Sequence, residues 1–221
     1  VAASLKAKAK KPKTKPPSLV EENGLSDKGY HLIAGVDEAG RGALAGPVVA
    51  AAVILPSSPA FRWLKSVRDS KELPSIKRES LFDLIKQDAI AVSVGIIAPQ
   101  TIDVIGILNA TKIAMCHAVE QLATPPDFLL IDFLRLSQLR IPQKPIVRGD
   151  KLCLSIACAS IIAKVTRDRI MVELDQEHPG YGLADHKGYG TKKHVTFLLQ
   201  NGPSPIHRHS FAPVKEASKT K

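Results

Sequence analysis

The stretch Ala34–Gly42, AGVDEAGRG, ends an apolar run with two adjacent carboxylates. Asp37 and Glu38 stand where a strand would bury Val or Ile, and Gly40, Arg41 and Gly42 follow at once. Successive strand residues point to opposite faces, so both acids reach one centre only if the chain turns there, which the glycines permit. A buried charge is costly without a partner, so the pair calls for a reason beyond stability.

HLIAGVD (31–37) and PVVAAAVIL (47–55) predict two strands. The intervening GRGALAG is too glycine-rich for a helix and short enough for a hairpin-type connection. SIKRESLFDLIKQ (75–87) has helical apolar spacing and reads as an amphipathic helix capped by Ser75. AIAVSVGIIA (89–98) predicts a third strand, and Pro99 opens a region of two successive helices. DFLLID (127–132) and KPIVRGD (144–150) predict two more strands, each closing on an acid. Residues 152–178 form the longest helix candidate, stopped by Pro179-Gly180. A Gly/Tyr/His loop (181–191) and a short helix (192–202) complete the pattern. The order predicts an α/β fold with a mixed sheet, antiparallel first and parallel where helices intervene.

Asp37, Asp132 and Asp150 each close a predicted strand, so neighbouring strands would bring them to the sheet edge where α/β proteins place ligands. Four clustered carboxylates, Glu38 included, repel one another unless a cation lies between them. Oxygen ligands without cysteine point to Mg²⁺ or Mn²⁺, and two such ions suit in-line displacement at phosphorus. The competing reading is that these acids are ordinary strand ends and caps.

Composition narrows the class. The 221 residues are 44% hydrophobic and 24% charged, an ordinary globular balance, and no apolar run approaches the roughly 18–20 residues of a membrane span. The net charge is +10, but six of the lysines lie in LKAKAKKPKTKPP (5–17), with no acid before Glu21. That run reads as a disordered basic tail over residues 1–28, either simply solvated or tethering a polyanion. A domain over 29–214 and a flexible tail over 215–221 follow. Cys116, Cys153 and Cys158 lack metal-ligand spacing and read as free thiols of a reducing cytoplasm. His207-Arg-His209 is weak as a zinc motif, and His207 reads as structural support.

Taken together, AGVDEAGRGALAGPVVAAAVIL (34–55), DSKEL (69–73), LLID (129–132), PIVRGDKLCLSIACASIIAKVTRDRIM (145–171), HPGYGLADHKGYGT (178–191) and HRHSFAPV (207–214) resemble type 2 ribonuclease H, ribonuclease HII. The resemblance implies a ribonuclease H-like fold: a five-stranded mixed sheet flanked by helices, with a C-terminal helical region. It implies a metal-dependent endonuclease that hydrolyses the RNA strand of RNA–DNA hybrids. It further implies cleavage 5′ of single ribonucleotides embedded in duplex DNA, as in ribonucleotide excision repair, leaving 3′-hydroxyl and 5′-phosphate ends. Its partners would be RNA–DNA hybrids and ribonucleotide-containing DNA, met by a cytoplasmic monomer.

Residue by residue, Asp37, Glu38, Asp132 and Asp150 match the family's catalytic, metal-binding carboxylates for Mg²⁺ or Mn²⁺, two ions during catalysis. Gly40, Arg41 and Gly42 match its sensor for the ribose 2′-hydroxyl, the group that separates RNA from DNA. A dinucleotide loop is the rival for that motif, but a strand follows it and offers no helix N-terminus for a pyrophosphate. Tyr189 matches the tyrosine that stacks on the deoxyribose 3′ of the junction, whereas Tyr181 suits a packing role. Ser70 and Lys71 match the family's DSK element and its phosphate contact. Lys164 shares a helix face with Arg167 and Asp168, which allows either a phosphate-facing strip or a Lys164–Asp168 pair. The sequence departs from the usual family pattern at Phe133, where glycine is frequent, at Cys158 for alanine and at His209 for arginine. Ribonuclease HIII is the nearest alternative, but it usually carries a large N-terminal domain and lacks the stacking tyrosine.

Overall fold

The computed structural model describes residues 16–57 and 59–219. Its strands are β1 (Ile33–Ala39), β2 (Val48–Ile54), β3 (Ala91–Ile97), β4 (Phe128–Asp132) and β5 (Gln143–Ile146). They form one sheet in the order β3-β2-β1-β4-β5. The first three pair antiparallel, while β1–β4 and β4–β5 are parallel. The mixed sheet expected from the sequence is therefore present. The β4–β5 crossover differs from that expectation, since a loop rather than a helix makes it.

The helices are α1 (Val20–Ser26), α2 (Ser75–Asp88), α3 (Pro99–Ile105), α4 (Ile107–Glu120), α5 (Gly149–Leu152), α6 (Leu154–Glu177), α7 (Leu183–His186), α8 (Lys192–Asn201) and α9 (Ala212–Lys219). Two 3-10 turns, Arg62–Ser66 and Ser70–Glu72, precede α2. Helix α2 begins as expected, but its N-cap is Pro74, and Ser75 is the first helical residue with no capping side chain.

Alternation along the strands builds a core on each face. Val48, Ala50, Ala52 and Ile54 pack with Ala110, Ala114 and Met115 of α4. Ala51 and Val53 face the other way, against Ala157, Cys158 and Ile161 of α6 and Leu81 and Ile85 of α2. Strand β2 is thus buried on both faces, which explains its unbroken apolar run. Close helix approach depends on small residues. A Cβ on Gly35 would lie 2.1 Å from the Ser155 carbonyl carbon, and one on Gly95 would lie 2.0 Å from the Ala114 oxygen. Any larger residue there would push α6 or α4 off the sheet.

Both termini of the domain differ from expectation. Residues 16–28 do not continue as tail. Ser18 bonds by its main chain to Leu152 and Leu154 at 3.0 and 3.1 Å, and Glu22 accepts from the Ser155 amide and hydroxyl at 2.9 and 2.7 Å. Polar anchoring of α1 to the start of α6 explains why an apolar-pattern reading passes over it. Residues 1–15 of the expected tail lie outside the described residues. At the other end, α9 continues through Lys215, because Val214 and Ala217 pack with Leu44 and Leu198. The expected flexible tail therefore does not begin at 215, and residues 220–221 lie outside the described residues.

Candidate active site

Parallel pairing of β1 with β4 sets Val36 opposite Ile131, so Asp37 and Asp132 end adjacent strands side by side. Strand β5 sets Ile146 opposite Asp132, and the chain then turns through Val147 and Arg148 into α5. Asp150 lies in the first turn of that helix, not at the strand end expected from the sequence. The Gly149 amide donates to Asp132 Oδ1 at 2.6 Å, which ties the two acid-bearing segments together. Strand β1 also continues past Asp37 through Glu38 to Ala39, and the chain turns at Gly40 with φ 95°.

All four carboxyls resist ionisation. Burial lifts Asp37 well above the usual carboxylate range, with Glu38 and Asp132 adding to the effect. Burial likewise raises Glu38, against the opposing pull of Arg41, whose Nη1 donates to Oε1 at 3.1 Å. Asp132 is raised by burial despite its bond from Gly149, and Asp150 is raised by burial, then by Asp69 and Asp132. Lys71 is pulled down by its burial, but Asp69, Asp37 and Asp150 together hold it above its ordinary value. An ammonium surrounded by carboxylates marks a strongly negative centre.

Among the described residues no three acids stand close enough to share one metal ion. Several of their oxygens instead take donors from the protein itself: Asp37 Oδ1 from the Glu38 amide, Asp132 Oδ1 from Gly149, Glu38 Oε1 from Arg41. Glu38 Oε2, by contrast, is buried with no hydrogen-bond partner. An orphaned carboxylate oxygen among mutually repelling acids suits a hard divalent cation better than it suits the protein alone. The donor set fits such an ion.

Beside the acids lies a cleft of ≈380 Å³ lined by Glu38, Gly40, Arg41, Gly42, Ser70, Lys71, Lys164 and Tyr189. It continues past Lys164 and Tyr189 into a wider groove of ≈700 Å³ between α2, α6 and the 185–189 segment. The Tyr189 ring is flanked by Lys164 Nζ and the Arg167 guanidinium, 5.6 and 5.4 Å from its centroid. Its main chain bridges to Ala43, which sets the tyrosine loop against the Gly40–Gly42 turn.

Two buried arginines hold that turn and the segment that follows it. Arg167 donates to the carbonyls of Pro47 (2.9 Å), Ala45 (3.0 Å) and Lys187 (2.9 Å). Arg208 donates to the carbonyls of Gly46 (3.1 and 2.9 Å) and Arg41 (3.0 Å). Both side chains are fully buried, and among the described residues no salt bridge joins either to a carboxylate. Burial draws Arg208 down to about 9. The guanidinium fork suits several carbonyls in a way an ammonium does not. Backbone strain gathers at the same place. Among the described residues the non-glycine positions with positive φ are Phe133 (58°), Arg148 (58°) and Lys187 (53°). Phe133 follows Asp132, Arg148 precedes Asp150 by two residues, and Lys187 precedes Tyr189 by two. Left-handed backbone costs such residues about 1–2 kcal/mol each, and strain of this kind collects at functional sites.

The sequence profile described as ribonuclease HII matches residues 34–214. The chain belongs to the ribonuclease HII family. A ribonuclease HII of Dehalococcoides mccartyi is 56% identical over 199 residues, covering 90% of this chain and 94% of that one. The crystal structure of the ribonuclease H2 from Pyrococcus horikoshii OT3 superposes with a TM-score of 0.72 at 25% identity, covering 85% and 97% of the two chains. A crystal structure of Bst-RNase HIII in complex with Mn²⁺ shares the fold, with a TM-score of 0.64 at 21% identity, covering 87% of this chain and 71% of that one. As a member of the ribonuclease HII family, the chain is an endoribonuclease of the ribonuclease H type, acting on RNA–DNA hybrids. Among the described residues no helix is long and apolar enough to cross a membrane.

Within the ribonuclease HII site, some expected residues sit differently from their reading. Ser70 lines the cleft but is buried, and its hydroxyl lies 3.0 Å from Ser160 Oγ. Its hydroxyl is thus engaged with α6. Lys164 pairs with Asp168 at 2.6 Å, the plainer of its two readings, while still facing the cleft. Arg167 is no part of a phosphate-facing strip, because it turns inward. Tyr181 has the packing role expected of it, edge-on to Phe197 and donating to the Gly202 carbonyl at 2.9 Å. The roles of Arg167, Arg208 and His194 are not apparent from the sequence alone. Arginine on an otherwise buried helix face was the signal available for Arg167.

Proposed function

We propose that the enzyme cuts the RNA strand of hybrids, and also cuts 5′ of a single ribonucleotide embedded in duplex DNA, leaving 3′-hydroxyl and 5′-phosphate ends. The observation that carries this reading is the shared cleft: Glu38, the Gly40–Arg41–Gly42 turn, Lys71, Lys164 and Tyr189 all face it. Asp37, Asp132 and Asp150 adjoin it at the sheet edge.

Asp37, Glu38, Asp132 and Asp150 are the residues that would hold divalent ions, Mg²⁺ or Mn²⁺, two of them in this reading. Bound there, such ions supply an activated water and stabilise the charge on the leaving oxygen. Their fit rests on the oxygen-only donor set and the orphaned Glu38 oxygen. The related Bst-RNase HIII solved with Mn²⁺ supports the same choice of cation.

The remaining steps belong to the chain's own groups. The 40–42 turn brings main-chain N–H and C=O groups toward a ribose, where a 2′-hydroxyl can both donate and accept. Arg208 holds that turn at Arg41 and Arg167 holds the segment after it, so the turn's polar groups need little ordering when substrate arrives. Tyr189 offers an aromatic face for the next sugar on the DNA side of the junction. Lys71 and Lys164 place positive charge where backbone phosphates would lie, positioning the duplex without reading its sequence.

The test compares wild type with Asp37→Asn on an RNA–DNA hybrid, with Mg²⁺, Mn²⁺ or EDTA. Hydrolysis should require metal and be lost in the variant, while duplex binding survives. Near-normal turnover of Asp37→Asn would refute the carboxylate assignment.

A further inference from the structure

Behind Tyr189 lies a buried histidine pair that the chemistry above does not use. His194, in α8, and His207, just before Arg208, are both fully buried. Their Nε2 atoms are 3.0 Å apart, so one ring must donate to the other. The flanking groups decide which. His194 Nδ1 lies 3.0 Å from the Tyr189 carbonyl oxygen, which can only accept. His194 therefore carries its proton on Nδ1 and accepts at Nε2. His207 must then donate from Nε2 and accept at Nδ1. Its Nδ1 receives the Ser204 amide at 3.0 Å, with the Ser204 hydroxyl at 2.9 Å. The Ser204 carbonyl lies farther from the same nitrogen, at 3.3 Å, and takes no proton from it in this arrangement. Every ring nitrogen is matched by a partner of the right kind, and both rings are neutral.

The chain of donors runs one way, from Ser204 through His207 and His194 to the Tyr189 oxygen. Main-chain bridges hold the same pieces on their other side: Ala45 pairs with His207, and Ala43 pairs with Tyr189. The segment just after Gly40–Gly42 is therefore clamped between the two ends of the relay. His186 stacks on His194 with centroids 4.3 Å apart, and the Tyr181 ring lies 4.7 Å from His207. His186 is itself fixed, donating from Nε2 to the Tyr181 carbonyl at 2.7 Å and accepting the Gly188 amide at Nδ1 at 3.2 Å.

We propose that His207 and His194 are positioning residues: their one-way hydrogen-bond relay sets the Tyr189 loop against the Gly40–Gly42 turn and so fixes which junction the enzyme accepts. Neither ring touches substrate in this arrangement, and both act through Tyr189. The inference rests on the reading of Tyr189 as the group that meets the DNA side of the junction. An apolar residue at 207 would fill the space but leave His194 Nε2 without its donor, so nothing would fix the tautomer whose Nδ1–H holds the Tyr189 carbonyl. A glutamine at 207 keeps both an acceptor and a donor on one side chain.

The test uses the full chain with two substrates, a DNA duplex holding one ribonucleotide and an all-RNA/DNA hybrid. His207→Phe should raise KM for the single-ribonucleotide duplex about tenfold, the size expected when a positioning hydrogen bond is removed. Its kcat on the long hybrid should stay within about twofold. His207→Gln should restore most of the junction preference. Equal losses on both substrates, or no recovery with glutamine, would reduce the pair to packing. Should His207→Phe fail to fold, the imidazole nitrogen shifts of the wild type decide: Nδ1–H on His194 with Nε2–H on His207 is expected, and the opposite tautomers would overturn the relay. Tyr189→Ala separates the two layers. If that variant keeps full junction preference while the tautomers are as stated, the reading of Tyr189 is what fails.

Discussion

Arg208 Nη1 donates to the main-chain oxygen of Arg41 at 3.0 Å, so a buried cation from the C-terminal segment holds the centre of the Gly40–Gly42 turn. The same guanidinium bonds the Gly46 carbonyl twice, at 3.1 and 2.9 Å. Two points of the loop are thereby fixed to one rigid fork. Arg208→Lys keeps the charge but cannot span both carbonyls. It should destabilise the protein by about 2–4 kcal/mol, because the unsatisfied groups stay buried. Urea unfolding measures the loss, and a change below about 0.5 kcal/mol would show that the fork holds little.

Phe133 pairs a positive φ with an exposed ring, 56% accessible, directly after Asp132. Glycine accepts that backbone at no steric cost, and little packing is lost with the ring. The relief of about 1–2 kcal/mol exceeds the roughly 0.5–1 kcal/mol that glycine loses to chain entropy. Phe133→Gly should therefore be stabilising by up to about 1 kcal/mol. A clear loss of stability would mean that the ring packs more than its exposure indicates.

His207 is depressed from 6.5 to about 4 by burial first, then by His194, against a rise from Ser204; His209 and His178 add to the depression. Between those values His207 binds more protons in the unfolded chain than in the folded one, so its contribution to stability falls as pH falls. The loss begins near pH 6.5, grows to about 3 kcal/mol by pH 4 and then levels off. Denaturant midpoints taken from pH 7 to pH 4 check the slope. His207→Gln should flatten it, and an unchanged slope in that variant would assign the acid sensitivity elsewhere.

The six lysines of residues 6–15 precede Ser18, which the Leu152 and Leu154 main chain anchors close to Asp150. Removing residues 1–15 leaves that anchor intact. Substrate affinity at low salt should drop, and the slope of log affinity against log salt should shrink by about 0.9 for each phosphate that is no longer neutralised. The cleavage position should not move. A shifted cut would give the run a share in substrate positioning.

Apolar runs and spacing made the strands and most of the helices legible in the sequence, with Pro99 opening a helical region and Pro179-Gly180 following the end of α6. What stayed hidden was polar or local. Helix α1 is held by Glu22 and Ser18 through hydrogen bonds to the α5–α6 junction, which no hydropathy pattern reports. Asp150 moved from a strand end into α5 because β5 stops at Ile146 and the left-handed Arg148 turns the chain. Asp37 and Glu38 stood out because carboxylates are anomalous in a buried strand. Arg167 and Arg208 did not, because arginine reads as surface unless its carbonyl partners are known. Apart from Lys187, those partners lie more than a hundred residues away in the chain.

The most direct measurement maps the cut in a labelled DNA duplex carrying one ribonucleotide, with Mg²⁺ or Mn²⁺ and with EDTA as control. A single metal-dependent cut on the 5′ side of the ribonucleotide, leaving a 3′-hydroxyl, is expected if the 40–42 turn and Tyr189 together read the junction. Cleavage of long hybrids with the single-ribonucleotide duplex left intact would contradict that claim.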